Sequence, residues 1–416
     1  MIDVVVSSEL EIPTPKVKPR DRVGIHGWVH YYAAFSPSFV WKIINLFKLT
    51  RDSLILDPFV GSGTTCVVAK SLGVPSIGVE FNPLAYFITR AKVGWNFGSG
   101  ELDEELILLK NVNDTDTEPS DDFMQWFSPD DPTVRKTLAM GRYILKEISN
   151  SDLRDFLLAA LLLSLRNVAS IKRGSNPVWM RVGETSLQSN HDIFDIFSKK
   201  TNKMFHDQQE IRTHDNCRTE VLFGDTRTLT LSEKVDAVIT SPPYLNRLDY
   251  IMNYRLENDF LANLKALPAL EPSRLLRKKI IGTVTVIDKS PPKDEWGKTC
   301  VEILNKIHKH ASKASASYYY PTIMKYFKDM HECLARIREA LKVNGVCTIV
   351  VQTSYFKDIE IPVSQIFSEM AQNLEFKEAF ITRRENVRVH MGLLDPEQRK
   401  YAPGKTLHED VLMLKR

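Results

Sequence analysis

The chain reads as an α/β protein: an open, mostly parallel sheet of seven strands with helices wound around it. Three observations lead there. Leu54-Ile55-Leu56 is a short apolar run that stops at Asp57-Pro58-Phe59-Val60-Gly61-Ser62-Gly63, and helix-patterned residues follow from Thr64. Ser76-Ile77-Gly78-Val79-Glu80 is a second run ending on an acid. Val235-Asp236-Ala237-Val238-Ile239 is a third, and it leads into Thr240-Ser241-Pro242-Pro243-Tyr244. Short apolar runs bounded by turns and separated by helical periodicity mark buried parallel strands with crossover helices. The order strand, glycine turn, helix, strand, acid is the first half of a Rossmann-like sheet.

Each element follows in turn. Residues 1–20 are polar, contain Pro13, Pro15 and Pro19, and read as a loose arm. Val40, Ile43, Ile44 and Phe47 fall at helical spacing. Leu54–Leu56 predicts a strand, Thr64–Leu72 a helix and Ser76–Glu80 a strand. Between Glu101 and Thr133 eleven acids face one base, Lys110, which predicts a solvated linker flanking a helix, a surface that phosphate avoids. Residues 134–211 pattern as helices, with a buried one at 156–165 and a break at Lys172-Arg173-Gly174-Ser175-Asn176-Pro177. Strands resume at Glu220–Asp225 and Val235–Thr240. A long amphipathic helix over Met324–Leu341 is predicted to stop at Asn344-Gly345. A strand at Val346–Val351, a helix over 363–372 and strands near Ala379–Arg383 and Val411–Leu414 bring the count to seven.

Composition narrows the function. With 43% hydrophobic residues the chain buries a large core, and a net charge of +3 leaves any nucleic-acid affinity to local clustering. The N-terminus has no basic stretch before a long apolar core, so no signal peptide is expected. The most apolar segment, 156–165, is about half the ~20 residues of a membrane span. Five widely spaced cysteines without a CxxC pair point to a reducing cytoplasm and away from zinc or disulfides. No metal site is expected, and His308 and His310 read as surface residues of a basic helix.

The glycine turn admits a ligand close to the backbone because it lacks Cβ atoms. A P-loop needs lysine after its last glycine, and Thr64 stands there; a dinucleotide turn needs a third glycine, and Cys66 stands there. Asp57 at the strand end suits a cationic ligand better than a phosphate. Glu80, at the tip of the next strand, suits ribose hydroxyls. The Ser241–Tyr244 corner offers different chemistry. Prolines fix φ and remove backbone donors, leaving carbonyls to face a ligand, and Tyr244 presents a flat ring for a base to stack on. Ser290-Pro291-Pro292-Lys293 repeats the tripeptide without the aromatic and reads as a loop.

Together, Asp57–Thr65 and Ser241-Pro242-Pro243-Tyr244 resemble the DNA amino-methyltransferases, which methylate cytosine N4 or adenine N6. The resemblance covers residues 20–95, 218–250 and 320–416, and Tyr31–Pro37 is similar to the segment that closes the family's cofactor pocket. It implies a class I methyltransferase sheet with S-adenosyl-L-methionine as cofactor. It puts Asp57 and the Gly61-Ser62-Gly63 turn against the methionine part and Glu80 on the ribose, with Pro58, Phe59 and Thr64 also among the cofactor-binding residues. Phe81, Asn82 and Asp225 would lie near the adenine. Ser241 and the Pro242 carbonyl would hold the target amine, with Pro243 and Tyr244 completing the catalytic corner. Serine in the first position goes mostly with cytosine N4. No cysteine follows a proline, which argues against C5 chemistry. The cofactor loop precedes the corner, one of the family's permuted orders.

The domain plan is an arm (1–20), a cofactor-binding half (21–96), a helical insertion (97–215), a catalytic half (216–250 and 320–416) and a basic insertion (251–319). Between Pro272 and Lys328 twelve bases face four acids, so Arg277, Lys278 and Lys279 are candidate contacts to double-stranded DNA, with Lys172 and Arg173 as the other candidates. The expected setting is a restriction-modification system with a cognate endonuclease. Adenine-N6 methylation, RNA guanine-N2 methylation and an inactive DNA-binding module are the competing readings.

Overall fold

The computed structural model describes residues 12–31, 35–113, 118–129, 131–172, 181–183, 192–212, 216–245, 249–283, 291–387 and 407–416. Among these, seven strands form one sheet: β1 (Ile55–Asp57), β2 (Ser76–Glu80), β3 (Thr219–Phe223), β4 (Val235–Thr240), β5 (Leu341–Gln352), β6 (Glu378–Val387) and β7 (Leu407–Lys415). Their spatial order is β6-β7-β5-β4-β1-β2-β3. Strands β3 through β5 run parallel across the sheet, while β7 pairs antiparallel with both β5 and β6. The chain is thus an α/β, seven-stranded class I methyltransferase sheet, and its switch point, where loops diverge and ligands bind, lies at β1 and β4.

The principal helices are α1 (Pro37–Leu46), α2 (Thr64–Ser71), α3 (Pro83–Val93), α4 (Ser99–Asn111), α5 (Pro132–Lys146), α6 (Ser151–Ser164), α7 (Ile193–Gln209), α8 (Arg255–Asn263), α9 (Lys298–Lys309), α10 (Tyr320–Ala340) and α11 (Val363–Asn373). One face of the sheet packs on α9, α10 and α11 through residues such as Phe327, Leu334 and Phe367. The other face packs on α1 and α2 through Phe39, Ile43, Ile55, Ile239 and Val350. A further core belongs to the helical insertion: Trp126, Phe156 and Phe197 pack on Phe87 and Ile88 of α3 and on Phe260 of α8. Burying several aromatic side chains at once stabilises this insertion.

Four expectations need adjusting. The long helix ends at Ala340, not Leu341, because Leu341 already has extended backbone and pairs with Val235. Asn344, at φ +66°, makes its turn inside the span of β5 and does not stop the helix. Residues 99–111 of the acidic stretch are α4 itself, which buries Leu102, Leu106 and Leu109 and turns its acids outward. The arm is pinned from residue 12 onward: Ile12 is buried, and the Ser36 amide donates to the Pro15 carbonyl. Residues 1–11 lie outside the described residues. The basic segment 251–319 is shared out between cores, α8 with the helical insertion and α9 with the sheet.

Candidate active site

β1 and β4 are neighbours, so the glycine turn and the Ser-Pro-Pro-Tyr corner emerge side by side at the carboxyl edge of the sheet. One buried carboxylate ties them together. Asp57 Oδ1 accepts from Thr240 Oγ1 at 2.6 Å, and Oδ2 accepts from Thr65 Oγ1 at 2.6 Å. Its Oδ1 also takes the Phe59 amide at 3.1 Å. Burial raises the Asp57 pKa to about 6, against the pull of these hydrogen bonds. Asp57 is therefore a brace and not a wall: it does not line the cleft described next. The expectation of a carboxylate facing the cofactor's cation is corrected on this point, because Asp57 is buried and is not among the residues that line the cleft.

The glycine turn leaves β1 and doubles back on β2. Gly61 sits at φ +52° and Gly63 at φ +88°, values that side chains other than glycine rarely adopt. A Cβ on Gly61 would stand 2.8 Å from Tyr31, and one on Gly63 2.9 Å from Thr89. These glycines thus admit neighbouring protein groups to the turn. The Gly61 amide donates to Glu80 Oε2 at 2.8 Å, and the Asn82 amide donates to Oε1 at 2.7 Å. Lys92, buried on α3, donates to the Ser62 carbonyl at 2.8 Å, and burial lowers its pKa to about 7.

A cleft opens over this turn, with about 870 Å³ of space that includes open solvent. Pro58, Phe59, Gly61, Ser62, Thr64, Glu80, Phe81, Asn82 and Asp225 line it, together with Ser241 and Pro243. Most of the cofactor candidates and part of the corner thus share one space; Asp57, Gly63, Pro242 and Tyr244 are not among the residues that line it. Burial raises Glu80 to about 7, and three backbone amides, of Asn82, Gly61 and Phe81, oppose that shift. Phe81 stacks on Phe223 at 6.2 Å, its ring close to parallel. Asn82 caps α3 and donates to the Tyr250 carbonyl at 2.8 Å. Asp225 is ion-paired with Arg227, which also reaches Asp329 at 3.1 Å and donates to the Lys279 carbonyl at 2.6 Å.

At the corner, Ser241 Oγ donates to the Val350 carbonyl at 3.3 Å, a long bond. Tyr326 donates to the Pro243 carbonyl at 2.9 Å. The Tyr244 hydroxyl donates to Glu409 Oε1 at 2.8 Å, and burial, then Glu409, raises its pKa.

The basic candidates fall differently. Residues 279–281 form part of the cleft's rim. Arg277 is ion-paired with Asp249 at 2.9 Å and Lys279 with Glu271 at 2.5 Å, while Lys278 is exposed. Lys172 lies in a short hairpin, Ile171–Lys172 against Arg181–Val182, and Arg173 lies outside the described residues. Away from the cleft, His206, Asp207 and Glu210 bring ligand-type atoms within 4.8 Å of one another on α7, but Lys203 and Trp28 already bond Asp207.

The sequence placed Tyr31 in the segment that closes the pocket but did not show its aromatic partners. Tyr31 stacks on Tyr254 at 5.6 Å with an interplanar angle of 2°, and on Tyr250 at 6.2 Å, closing one side of the cleft. Arg227 and Glu409 also went unseen. The only signal for Glu409 was an acid pair, Glu409-Asp410, heading an apolar strand.

Comparisons with known proteins point to the methyltransferases. The family described as DNA methylase matches residues 13–90. The Type II methyltransferase M.BsoBI of Geobacillus stearothermophilus is 28% identical over 272 residues, 57% of this chain and 52% of its own. The Type II methyltransferase M.MvaI of Kocuria varians is 23% identical over 244 residues, 53% of each chain. The chain spans about half the length of these relatives. A solved structure, rRNA methyltransferase aviRa from Streptomyces viridochromogenes, aligns over 98% of this chain at 9% identity and a TM-score of 0.33, a likeness on which nothing below depends. Sheet and cleft define the methyltransferase class of fold. Within it, residues 13–90 match the DNA methylase family, and the similarity to Type II methyltransferases supports a DNA amino-methyltransferase.

Proposed function

We propose that the protein methylates the exocyclic N4 of cytosine in duplex DNA at a short specific site, using S-adenosyl-L-methionine. The observation that carries this reading is that Ser241 and Pro243 line the same cleft as the glycine turn and Glu80. The residues suit that cofactor. Glu80 offers a carboxylate to ribose hydroxyls, Phe59, Phe81 and Ile281 offer apolar walls, and the cationic Arg227 is held by acids rather than presented to a phosphate. When bound, the cofactor supplies an electrophilic methyl group.

The chain's residues then align a poor nucleophile. The lone pair of a base amine is delocalised into its ring, so the amine needs its N–H groups held and its nitrogen turned toward the methyl. Ser241 Oγ, released from its long bond to Val350, and the Pro242 carbonyl are the acceptors in this reading. No described residue donates to the Pro242 carbonyl. Tyr244 stacks on a base swung out of the duplex, which costs a few kcal/mol to unstack. Displacement then follows from alignment without a covalent enzyme intermediate.

Serine at position 241 favours cytosine over adenine, because its short hydroxyl reaches less far than Asp or Asn. Lys278 and neighbouring bases are the proposed phosphate contacts, Lys172 and Arg173 the second set. A cognate restriction endonuclease is the proposed partner and the cytoplasm the proposed location. Among the described residues no helix is long and apolar enough to cross a membrane. The test is expression in a host lacking other methyltransferases, then digestion of its DNA to nucleosides and mass spectrometry. The expected product is 4-methylcytosine. 6-Methyladenine alone would overturn the base assignment, and methylation of RNA only would overturn the substrate class.

A further inference from the structure

We infer that Glu409 is a positioning residue for the acceptor base: it sets the ring of Tyr244 through the phenol, from a strand far away in sequence. The inference rests on the amino-methyltransferase reading above. β7 runs opposite to its neighbours, so its first residues, not its last, arrive at the carboxyl edge where the catalytic corner stands. Glu409 pairs in register with Gln352, and the Thr353 amide donates to the His408 carbonyl at 2.8 Å, which closes this end of the sheet.

Side chains alternate along a strand, so Glu409 shares the face of Val411 and Met413. That is the face of Ile239 and Val350, from which Ser241 emerges. Asp410 points to the opposite face and takes the hydroxyl of Ser364 on α11. Each acid heading β7 therefore has a hydroxyl partner, but only the partner of Glu409 belongs to the corner. Tyr244 is the donor, and the 2.8 Å bond fixes where the ring's far end lies. The near end is held through the backbone: Tyr326 grips the Pro243 carbonyl and Ser354 the Leu245 carbonyl at 2.5 Å. A ring anchored at both ends offers its face in one orientation. Without Glu409, the phenol loses its carboxylate partner and keeps its bond with the Ser241 hydroxyl and the backbone anchors, and a stacked base loses its fixed plane.

Two measurements test this. First, 3-fluorotyrosine is placed at position 244 and its ¹⁹F resonance recorded in cofactor-free protein. Glu409→Ala should shift and broaden the resonance, and Glu409→Gln, whose amide oxygen still accepts the bond, should keep it near the native position. An unchanged resonance in Glu409→Ala overturns the inference whatever the enzyme's activity. Second, methyl incorporation into unmodified DNA is followed in a double-mutant cycle with Tyr244→Phe. Misplacement near the reacting groups costs up to about 100-fold. Glu409→Ala should therefore lower kcat by about 10- to 100-fold at an unchanged cofactor KM, with Glu409→Gln within about threefold of wild type. Tyr244→Phe should match Glu409→Ala, and the double variant should be no worse than either. Losses that multiply, or a Glu409→Gln variant as impaired as Glu409→Ala, would overturn the assignment while leaving the activity in place. A wild-type protein without any DNA product would instead overturn the functional reading and the inference with it.

Discussion

Asp57 shows how one side chain can serve a site without facing it. Replacing it with alanine strands two hydroxyls and an amide in the interior. The expected loss is on the order of 3 kcal/mol of stability in a denaturant titration, together with weakened cofactor binding as the turn loosens. Asp57→Asn should fall between, since its one oxygen can keep only part of the set. Glu80 carries the pH dependence. Its pKa in the fold, about 7, lies above the ordinary 4.5 because burial disfavours the charge. Ribose hydroxyls donate to the ionised form, so binding must expel the proton wherever it is present. Affinity should be constant above pH 7 and fall below it, by up to about tenfold per pH unit. Calorimetry across pH 5.5 to 8.5 checks this, with Glu80→Gln weak and flat. A wild-type affinity that rises on acidification would remove Glu80 from the ribose role.

Among elements, the segment 277–281 joins what the sequence kept apart. Its charges suggested DNA, yet residues 279–281 rim the cofactor cleft and Arg277 is committed to Asp249. Arg277→Ala should therefore raise the cofactor Kd severalfold and leave the salt dependence of DNA binding alone. Lys278→Ala with Lys279→Ala should lower the logarithmic salt slope by roughly 0.9 for each phosphate that is no longer neutralised. A slope unchanged in that pair would move the DNA surface elsewhere. The same contrast explains what was legible. The glycine turn and the proline corner are contiguous, and each carries its chemistry in four to nine neighbouring residues, so both were found from sequence. The bond between Asp57 and Thr240, the Tyr31–Tyr254 stack and the bond between Tyr244 and Glu409 join residues far apart in the chain. No local periodicity encodes such pairs. They appear only once β1 lies beside β4 and β7 turns back along β5.

At the scale of the molecule, the seven strands were legible because apolar runs and turn residues bound them, whereas the division into cores was not. The helical insertion looks separable by composition, yet its core includes α3, which carries Asn82 at its cap. Phe156→Ala should cost about 3–5 kcal/mol, and cofactor affinity should fall as well if α3 shifts. Thermal unfolding with and without S-adenosyl-L-methionine measures both. The reversed strand β7 has a further effect, one of timing during synthesis. It lies between β5 and β6, so the edge of β5 stays open until residues 407–415 are made. At 5–20 residues per second, the stretch from Gln352 to Leu407 takes roughly 3–11 s on the ribosome. Through that interval the nascent chain already holds its glycine turn and helical core, but Ile349, Val350 and Val351 sit on an unpaired strand edge, the kind of surface that captures other chains. Slow codons in this window would favour aggregation, and Glu409 reaches the corner only when the window closes.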